Sequence, residues 1–535
     1  MVDAVSQDSG SSPASETTVL PSRNTRTVRQ IAHQVHLWLG LVAFAWLFVL
    51  GVTGFILDHP EWRWTKQWTM TSAFGSDHIF GDETLGIILR NFHVDQTNPE
   101  RMIAGGERGL WRRANADASW VDVPYDNARG LPRLLAMVPD LRAPWQRIWL
   151  ATDDGIWVVH GSEGQARQVA LPGLEVVALS VGSSPAELIG ATPDQAFRLN
   201  VTDADTDLNE PLWISLADTQ VRNMPETINL ARVLTDMHLG WGLFSRDTSV
   251  LINDFGALAI AFLCVTGILQ WWLPRRWRNA KAGRRATKAV GRTADRASTM
   301  RFIYRSHGPI LGVLAVLPIL YLCVTGIFFD HARTFMVASK ETHISRDLLF
   351  SAFDLTDMRG EITGVVGTPN EPETLSLMTR IGLVRTTDNG QTWDMVDDLP
   401  MLAHAKGGLT GILYTHGTTF IGTHGGPIYT RHDDDETWAQ IPGLRMFIQD
   451  ATKTGDEWTL KGSRGFLRGT LDGNLTPLEV PLPDISGMPI NSFVADLHAG
   501  FMFTDQWVWV NDIVAVMAIF LALSGLLNLC YRRWS

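Results

Sequence analysis

Cysteine is scarce in this 535-residue chain: there are three, Cys264, Cys323 and Cys530, and all lie inside apolar runs. Without Cys-x-x-Cys or Cys/His spacing there is neither a disulfide framework nor a thiolate metal site, and the three read as small buried residues. No Gly-x-Gly-x-x-Gly follows a strand and opens a helix, which excludes a nicotinamide or flavin domain of that type. A P-loop, a Ser-His-Asp constellation and a His-Glu-x-x-His helix are also missing. Basic charge is short as well: the formal net charge is −11, and Arg275–Arg305 holds eleven Lys/Arg against one acid, so the remainder is more acidic still. Such a chain is no partner for nucleic acid.

What the chain has is apolar sequence gathered into four runs: Leu37–Leu57, Phe255–Leu273, Gly308–Phe329 and Ile513–Leu529. A hydrocarbon core of about 30 Å needs roughly 20 helical residues, so each run predicts a spanning helix and the lipid bilayer is the first partner. The first run is too long for a signal h-region, and Asp58-His59-Pro60 replaces a small-x-small cleavage site. Arg23, Arg26 and Arg29 precede the first run; Arg275, Arg276, Arg278, Lys281, Arg284 and Arg285 follow the second; Arg301 and Arg305 precede the third; Arg532 and Arg533 follow the fourth. The positive-inside rule puts these ends, and both termini, in the cytoplasm of a bacterial inner membrane, with the long segments in the periplasm. The expected order is a disordered tail (1–30), helix one (31–59), a first β half (60–237), helix two (238–274), a basic loop (275–305), helix three (306–331), a second β half (332–497) and helix four (498–535).

The membrane part is a tandem repeat. Val52-Thr53-Gly54-Phe55-Ile56-Leu57-Asp58-His59 is matched in register by Val324-Thr325-Gly326-Ile327-Phe328-Phe329-Asp330-His331. Asp236-Met237-His238-Leu239-Gly240 with Asn253-Asp254 is matched by Asp496-Leu497-His498-Ala499-Gly500 with Asn511-Asp512. Both copies run in one direction, so an axis along the membrane normal should relate them.

Histidines recur at the helix mouths. His36, with His33 one turn earlier, and His307 open helices one and three on the cytoplasmic side; His59, His331, His238 and His498 lie outside. Ionisable residues at membrane boundaries mark function, and imidazole is a common axial ligand of haem iron. The natural inner pair is His36 with His307 and the natural outer pair His238 with His498, one haem near each face. His59 and His331 are alternative outer ligands or part of a third site. Thr53-Gly54, Thr266-Gly267, Thr325-Gly326 and Ser524-Gly525 read either as close helix packing or as clearance for a porphyrin face.

His36-Leu37-Trp38-Leu39-Gly40 leading to Thr53-Gly54, the Leu/Met-His-x-Gly steps at His238 and His498, and the Asn-Asp steps resemble the PepSY-associated transmembrane family. That family includes iron-regulated membrane proteins and haem-containing ferric-siderophore reductases. The resemblance implies b-type haem, two per chain, held by helix histidines, and oxidoreductase electron delivery to a periplasmic ferric siderophore, ferric chelate or protein acceptor. Electrons would come from a quinol or a separate cytoplasmic reductase. The outer segments depart from the family, because they do not read like its short α/β PepSY module.

Those segments read instead as all-β. A Gly turn followed by a short strand recurs at Gly109, Gly155, Gly382, Gly426 and Gly465, with a weaker copy at Gln195, spaced about 40–46 residues within a half, the period of propeller blades. Thr386-x-Asp388-x-Gly390-x-Thr392-Trp393 matches the Asp-box hairpin, with degenerate copies ending at Trp438 and Trp120. Its Asp caps backbone amides, so it is structural, not a glycosidase carboxylate. The expectation is a six- to eight-bladed β-propeller built from both insertions, since a half propeller would leave open edges. Two separate β domains are the alternative. The competing functional reading is a membrane-anchored propeller that binds or assembles partners without a cofactor. A transporter is disfavoured, because charge inside the runs is nearly absent, with Asp254 and Asp512 only at the outer mouths.

Overall fold

A computed structural model describes residues 23–533 apart from 60–61, 63, 66–67, 71–88, 129, 162–163, 202–207, 209, 217–219, 283–289, 332–333, 336–341, 354–357, 380–381, 400–408, 424–426, 447, 463–464, 482 and 484–487. Residues 1–22 of the expected tail, Arg284, Arg285 and Gly426 lie outside the described residues. The helices are α1 (Arg23–Leu57), α2 (Leu230–His238), α3 (Arg246–Ala282), α4 (Val290–Arg305), α5 (Val316–Asp330), α6 (Ile490–Ala499) and α7 (Val508–Arg533). Three segments, Gln30–Leu57, Arg246–Arg278 and Val508–Cys530, are long and apolar enough to cross a membrane. Their apolar residues are not spent on a core: Val42 is 73% exposed and Ile513 60%. Uncovered apolar surface on this scale needs lipid around it, and the chain is a membrane protein.

The third apolar run is not one straight helix. Asp295–Gly312 and Val316–Asp330 qualify as a span only together, and they are bent by 64°. A π-helical segment, Ser306–Gly312, precedes the bend and contains Pro309, and Pro318 follows it in α5. Each proline lacks the N–H that would close a helical hydrogen bond, which is why the ladder opens here. His307 sits on the π segment.

Contacts divide the chain into two units. Met1–Phe48, Ala259–Leu320 and Val516–Ser535 form the first; Val49–Leu258 and Tyr321–Ala515 form the second. The first is helical. The second holds the remaining helical segments and, among the described residues, six sheets of four or five strands. Their first strands are Asn91–Val94, Leu134–Pro139, Ala178–Val181, Ile362–Thr368, Leu409–Thr415 and Ile448–Thr454, and in each sheet the following strands add outwards in antiparallel order. Each first strand neighbours the next in that order, and the sixth neighbours the first. The ring is propeller-like, with three sheets from each insertion, and every sheet packs against a neighbour on both sides. A cavity of about 560 Å³ lies between the first strands.

Two seams join the insertions. At one, Val221–Arg222 pairs in parallel with Trp393–Asp394, over a core of Ile189, Ile214, Val365, Leu375 and Trp393. At the other, the Phe92 N–H donates to Asp450 Oδ2 at 2.9 Å, and the Phe92 and Phe466 rings meet edge to face at 5.1 Å. The Asp-box turn lies between the third and fourth strands of the fourth sheet. Asp388 accepts from Thr392 N–H at 2.9 Å, from Thr392 Oγ1 at 2.7 Å and from Thr386 Oγ1 at 2.7 Å. These donors hold its carboxyl down at about 2.

Strand direction fixes where the helices attach. In a four-stranded antiparallel sheet the fourth strand ends at the rim where the first begins. The chain therefore reaches the ring before Asn91 and Ile362, and leaves it after Arg222 and Leu478, through one rim. Two short antiparallel pairs brace these connections, Thr69–Met70 with Met488–Pro489 and Thr227–Asn229 with His343–Ser345. The helices α6 and α2 follow them directly.

Asp450→Ala strands the Phe92 amide beside the buried Lys461, and should cost about 3 kcal/mol or more, read as a lower thermal unfolding midpoint of the β region in detergent. Asp388→Ala should cost less, because its turn is exposed. The Asp388 contribution is present above its unfolded value of 3.8 and is lost as pH falls through about 2; a midpoint equally acid-sensitive in Asp388→Ala would contradict this.

Candidate functional site

Four histidines are held in the same way. Thr53 Oγ1 meets His498 Nδ1 at 2.8 Å, Thr325 Oγ1 meets His238 Nδ1 at 3.1 Å, Thr266 Oγ1 meets His307 Nδ1 at 2.8 Å, and Ser524 Oγ meets His36 Nδ1 at 3.0 Å. The next residue is glycine every time. A Cβ added at Gly54, Gly326, Gly267 or Gly525 would stand 3.4, 3.2, 3.4 or 3.3 Å from Cε1 of the same imidazole. The hydroxyl and the bare glycine backbone thus form a cradle that receives the Nδ1–Cε1 edge of the ring. All four hydroxyl residues are buried.

The cradle also fixes the tautomer. Each threonine hydroxyl donates its only proton to the carbonyl four residues back: Thr53 to Val49 at 2.7 Å, Thr266 to Phe262 at 2.8 Å and Thr325 to Tyr321 at 2.8 Å. Its oxygen can then only accept, so Nδ1 carries the hydrogen. For His36 the same conclusion follows independently, because Nδ1 also lies 3.1 Å from the Leu521 carbonyl, which has no proton to give. In all four rings Nε2 is left with its lone pair, and no hydrogen bond reaches it among the described residues. That is the form of histidine that binds a metal.

The rings fall into two sets, one in each unit. In the first unit, His36 and His307 have ring centroids 6.3 Å apart with planes at 87°. In the second unit, His238 and His498 occupy matched positions in the last turns of α2 and α6. Every cradle is reciprocal between the repeats: the first repeat's Thr53 and Thr266 hold the second repeat's His498 and His307, and the second repeat's Thr325 and Ser524 hold His238 and His36.

Local structure delivers His238 and His498 to these positions. The short helices α2 and α6 carry them in their last turns, and Gly240 and Gly500 follow with φ of 75° and 83°. Only a residue tolerant of the left-handed region turns the chain so abruptly towards the next long helix. Asn253 Nδ2 then donates to the His238 carbonyl at 2.9 Å, and Asn511 Nδ2 to the His498 carbonyl at 3.1 Å. Tyr321 Oη donates to the Met237 carbonyl.

The structure places the other candidate histidines elsewhere. His33 is exposed, one turn from His36. His59 Nε2 lies 3.2 Å from Asp254 Oδ2, and His331 Nε2 lies 2.6 Å from Asp512 Oδ2. Their Nε2 atoms therefore face carboxylates, and they join neither histidine pair. The Asn-Asp step works as a unit: Asn anchors the cradled histidine's backbone and Asp holds the histidine that ends the preceding repeat motif. Sequence reasoning singled out the Thr-Gly and Asn-Asp steps but not these partners. The shared spacing of 13 residues from Asn253 to Thr266 and from Asn511 to Ser524 was the available signal.

The family model for the PepSY-associated TM region matches residues 33–372. No curated protein matches the sequence. Similar solved structures include an ancestral GH74 enzyme, 11% identical, TM-score 0.33, over 73% of this chain and 38% of that one. The beta-propeller domain of Myceliophteria thermophila Cps50 (Swd1) is 7% identical, TM-score 0.32, over 74% and 86%. YCF48 bound to D1 peptide is 12% identical, TM-score 0.30, over 71% and 78%. The chain spans about 38% of the length of the first of these.

His331→Ala and Asp512→Ala should each lower stability by about 1–3 kcal/mol, and the double variant should fall short of their sum, because the two side chains lose one shared contact. Asp254→Ala and Asp512→Ala, in separate pairs, should add. Thermal unfolding in detergent reads both; additive costs for His331 and Asp512 would deny that pair.

Proposed function

The chain belongs to the PepSY-associated TM region family, and on that premise we propose that it is an inner-membrane b-type cytochrome carrying electrons from the cytoplasmic side to a periplasmic ferric siderophore or ferric chelate. In this reading four spans cross the membrane, the bent pair counting as one, and the ring of sheets is a six-bladed periplasmic propeller. The basic ends of the spans support that orientation. A quinol or a separate cytoplasmic reductase is the electron donor.

The observation that carries the reading is the pair of tautomer-fixed imidazoles, made twice. Haem would take its protein donors from imidazoles such as these. The residues fit that demand. Each cradle presents one Nε2 lone pair, and the His36 and His307 ring centroids lie 6.3 Å apart. Among the described residues no group of three or more His, Cys, Asp or Glu could hold a metal ion unaided. His36 and His307 would hold one haem and His238 and His498 the other; His59 and His331 are left to their carboxylates. When bound, the iron supplies a one-electron couple. The protein's own work is to keep the four imidazoles neutral, fixed in orientation and surrounded by apolar helix. Reducing a ferric chelate weakens its hold on the metal, because Fe²⁺ prefers hard oxygen ligands less. The rim through which the helices join the ring also carries Arg90 and Glu107, next to the axial cavity, and is the natural place for the acceptor to meet the second histidine pair.

Purified protein should show a Soret and an α band reducible by dithionite, with two haems per chain by pyridine haemochrome. His307→Ala and His498→Ala should each lose one. Protein with no such bands would instead favour a cofactor-free propeller scaffold.

A further inference from the structure

The four cradles are not equivalent. We propose that their hydroxyls are positioning residues that set the donor strength of the imidazoles they hold, and that this ranks the two centres, His36/His307 taking the lower potential. The inference rests on the haem reading above.

An imidazole whose Nδ1–H is drawn towards an acceptor becomes a stronger donor at Nε2, which favours the ferric state and lowers the potential. A threonine oxygen that has already given its proton to a backbone carbonyl is a polarised and therefore better acceptor. Three cradles offer one such oxygen each, at 2.8 Å to His307, 2.8 Å to His498 and 3.1 Å to His238. The fourth differs. Ser524 replaces threonine, its hydroxyl points to the Leu521 carbonyl at 3.2 Å, and that same carbonyl lies 3.1 Å from His36 Nδ1. A carbonyl oxygen has two lone pairs and serves both donors. His36 is therefore held by two acceptors, one of them a full carbonyl dipole. Three acceptors bear on His36 and His307 together, and two bear on His238 and His498, one of these the longest of the four hydroxyl contacts. In the proposed orientation the lower-potential pair lies where electrons arrive, so transfer to the other pair is downhill. The repeats would then give direction by a single departure from symmetry, serine for threonine.

The test is a spectroelectrochemical titration of the full-length protein in detergent, with His307→Ala and His498→Ala assigning the two components. The His36/His307 component should titrate lower. Thr266→Val, which keeps the shape and removes the acceptor, should move that component towards the ferrous form about tenfold at fixed ambient potential, about 59 mV for one electron. Thr325→Val should move the other component, and Thr266→Ser should restore the wild-type value. Should Thr266→Val fail to retain haem, Ser524→Ala remains, because the Leu521 carbonyl still holds His36; a smaller positive shift is expected there. Haem-loaded variants with unmoved potentials, or a His36/His307 component titrating higher, overturn the inference and leave the haem reading standing. Wild-type protein lacking haem overturns both.

Discussion

A hydrogen bond between a helix hydroxyl and an imidazole Nδ1 from another helix underlies the membrane part of this protein. It is made four times, always with glycine as the next residue. The bond satisfies a polar ring in an apolar setting, where an unpaired N–H would cost several kcal/mol. It chooses the tautomer, and so decides which nitrogen remains available. It also ties the two repeats together, because no repeat holds its own histidine. A single half of the chain could form neither pair.

The β region obeys the same dependence. Three sheets from one insertion would leave a sheet face uncovered at each end, and the seams at Val221–Trp393 and Phe92–Asp450 are made only between insertions. Duplication has therefore produced two regions that close only across the copies. The connections between them all leave through one rim of the sheet ring, so the histidines at the ends of α2 and α6 are anchored by the same short strand pairs that position the ring.

Hydropathy and periodicity report which segments are apolar and which alternate. The four apolar runs, the repeat and the strand spacing were legible for that reason, as was the Asp-box turn, whose chemistry is local in sequence. The nearness of His36 to His307 was legible from equivalent positions on two helices. The Thr53–His498 and Thr266–His307 bonds were not, because they join residues 445 and 41 positions apart, and a Thr-Gly step looks the same whether it packs a helix or holds a ring. The break at Ser306–Gly312 was hidden by hydropathy, which does not register whether a proline-containing run stays straight. The carboxylate partners of His59 and His331 were hidden because both histidines read as candidate ligands until Asp254 and Asp512 were seen beside Nε2.

The most direct test of the central claim is electron paramagnetic resonance on oxidised, full-length protein. Two histidine pairs with free Nε2 atoms predict two low-spin ferric signals of the bis-imidazole type, one lost in His307→Ala and the other in His498→Ala. No ferric haem signal, or signals that survive both substitutions, would contradict the account.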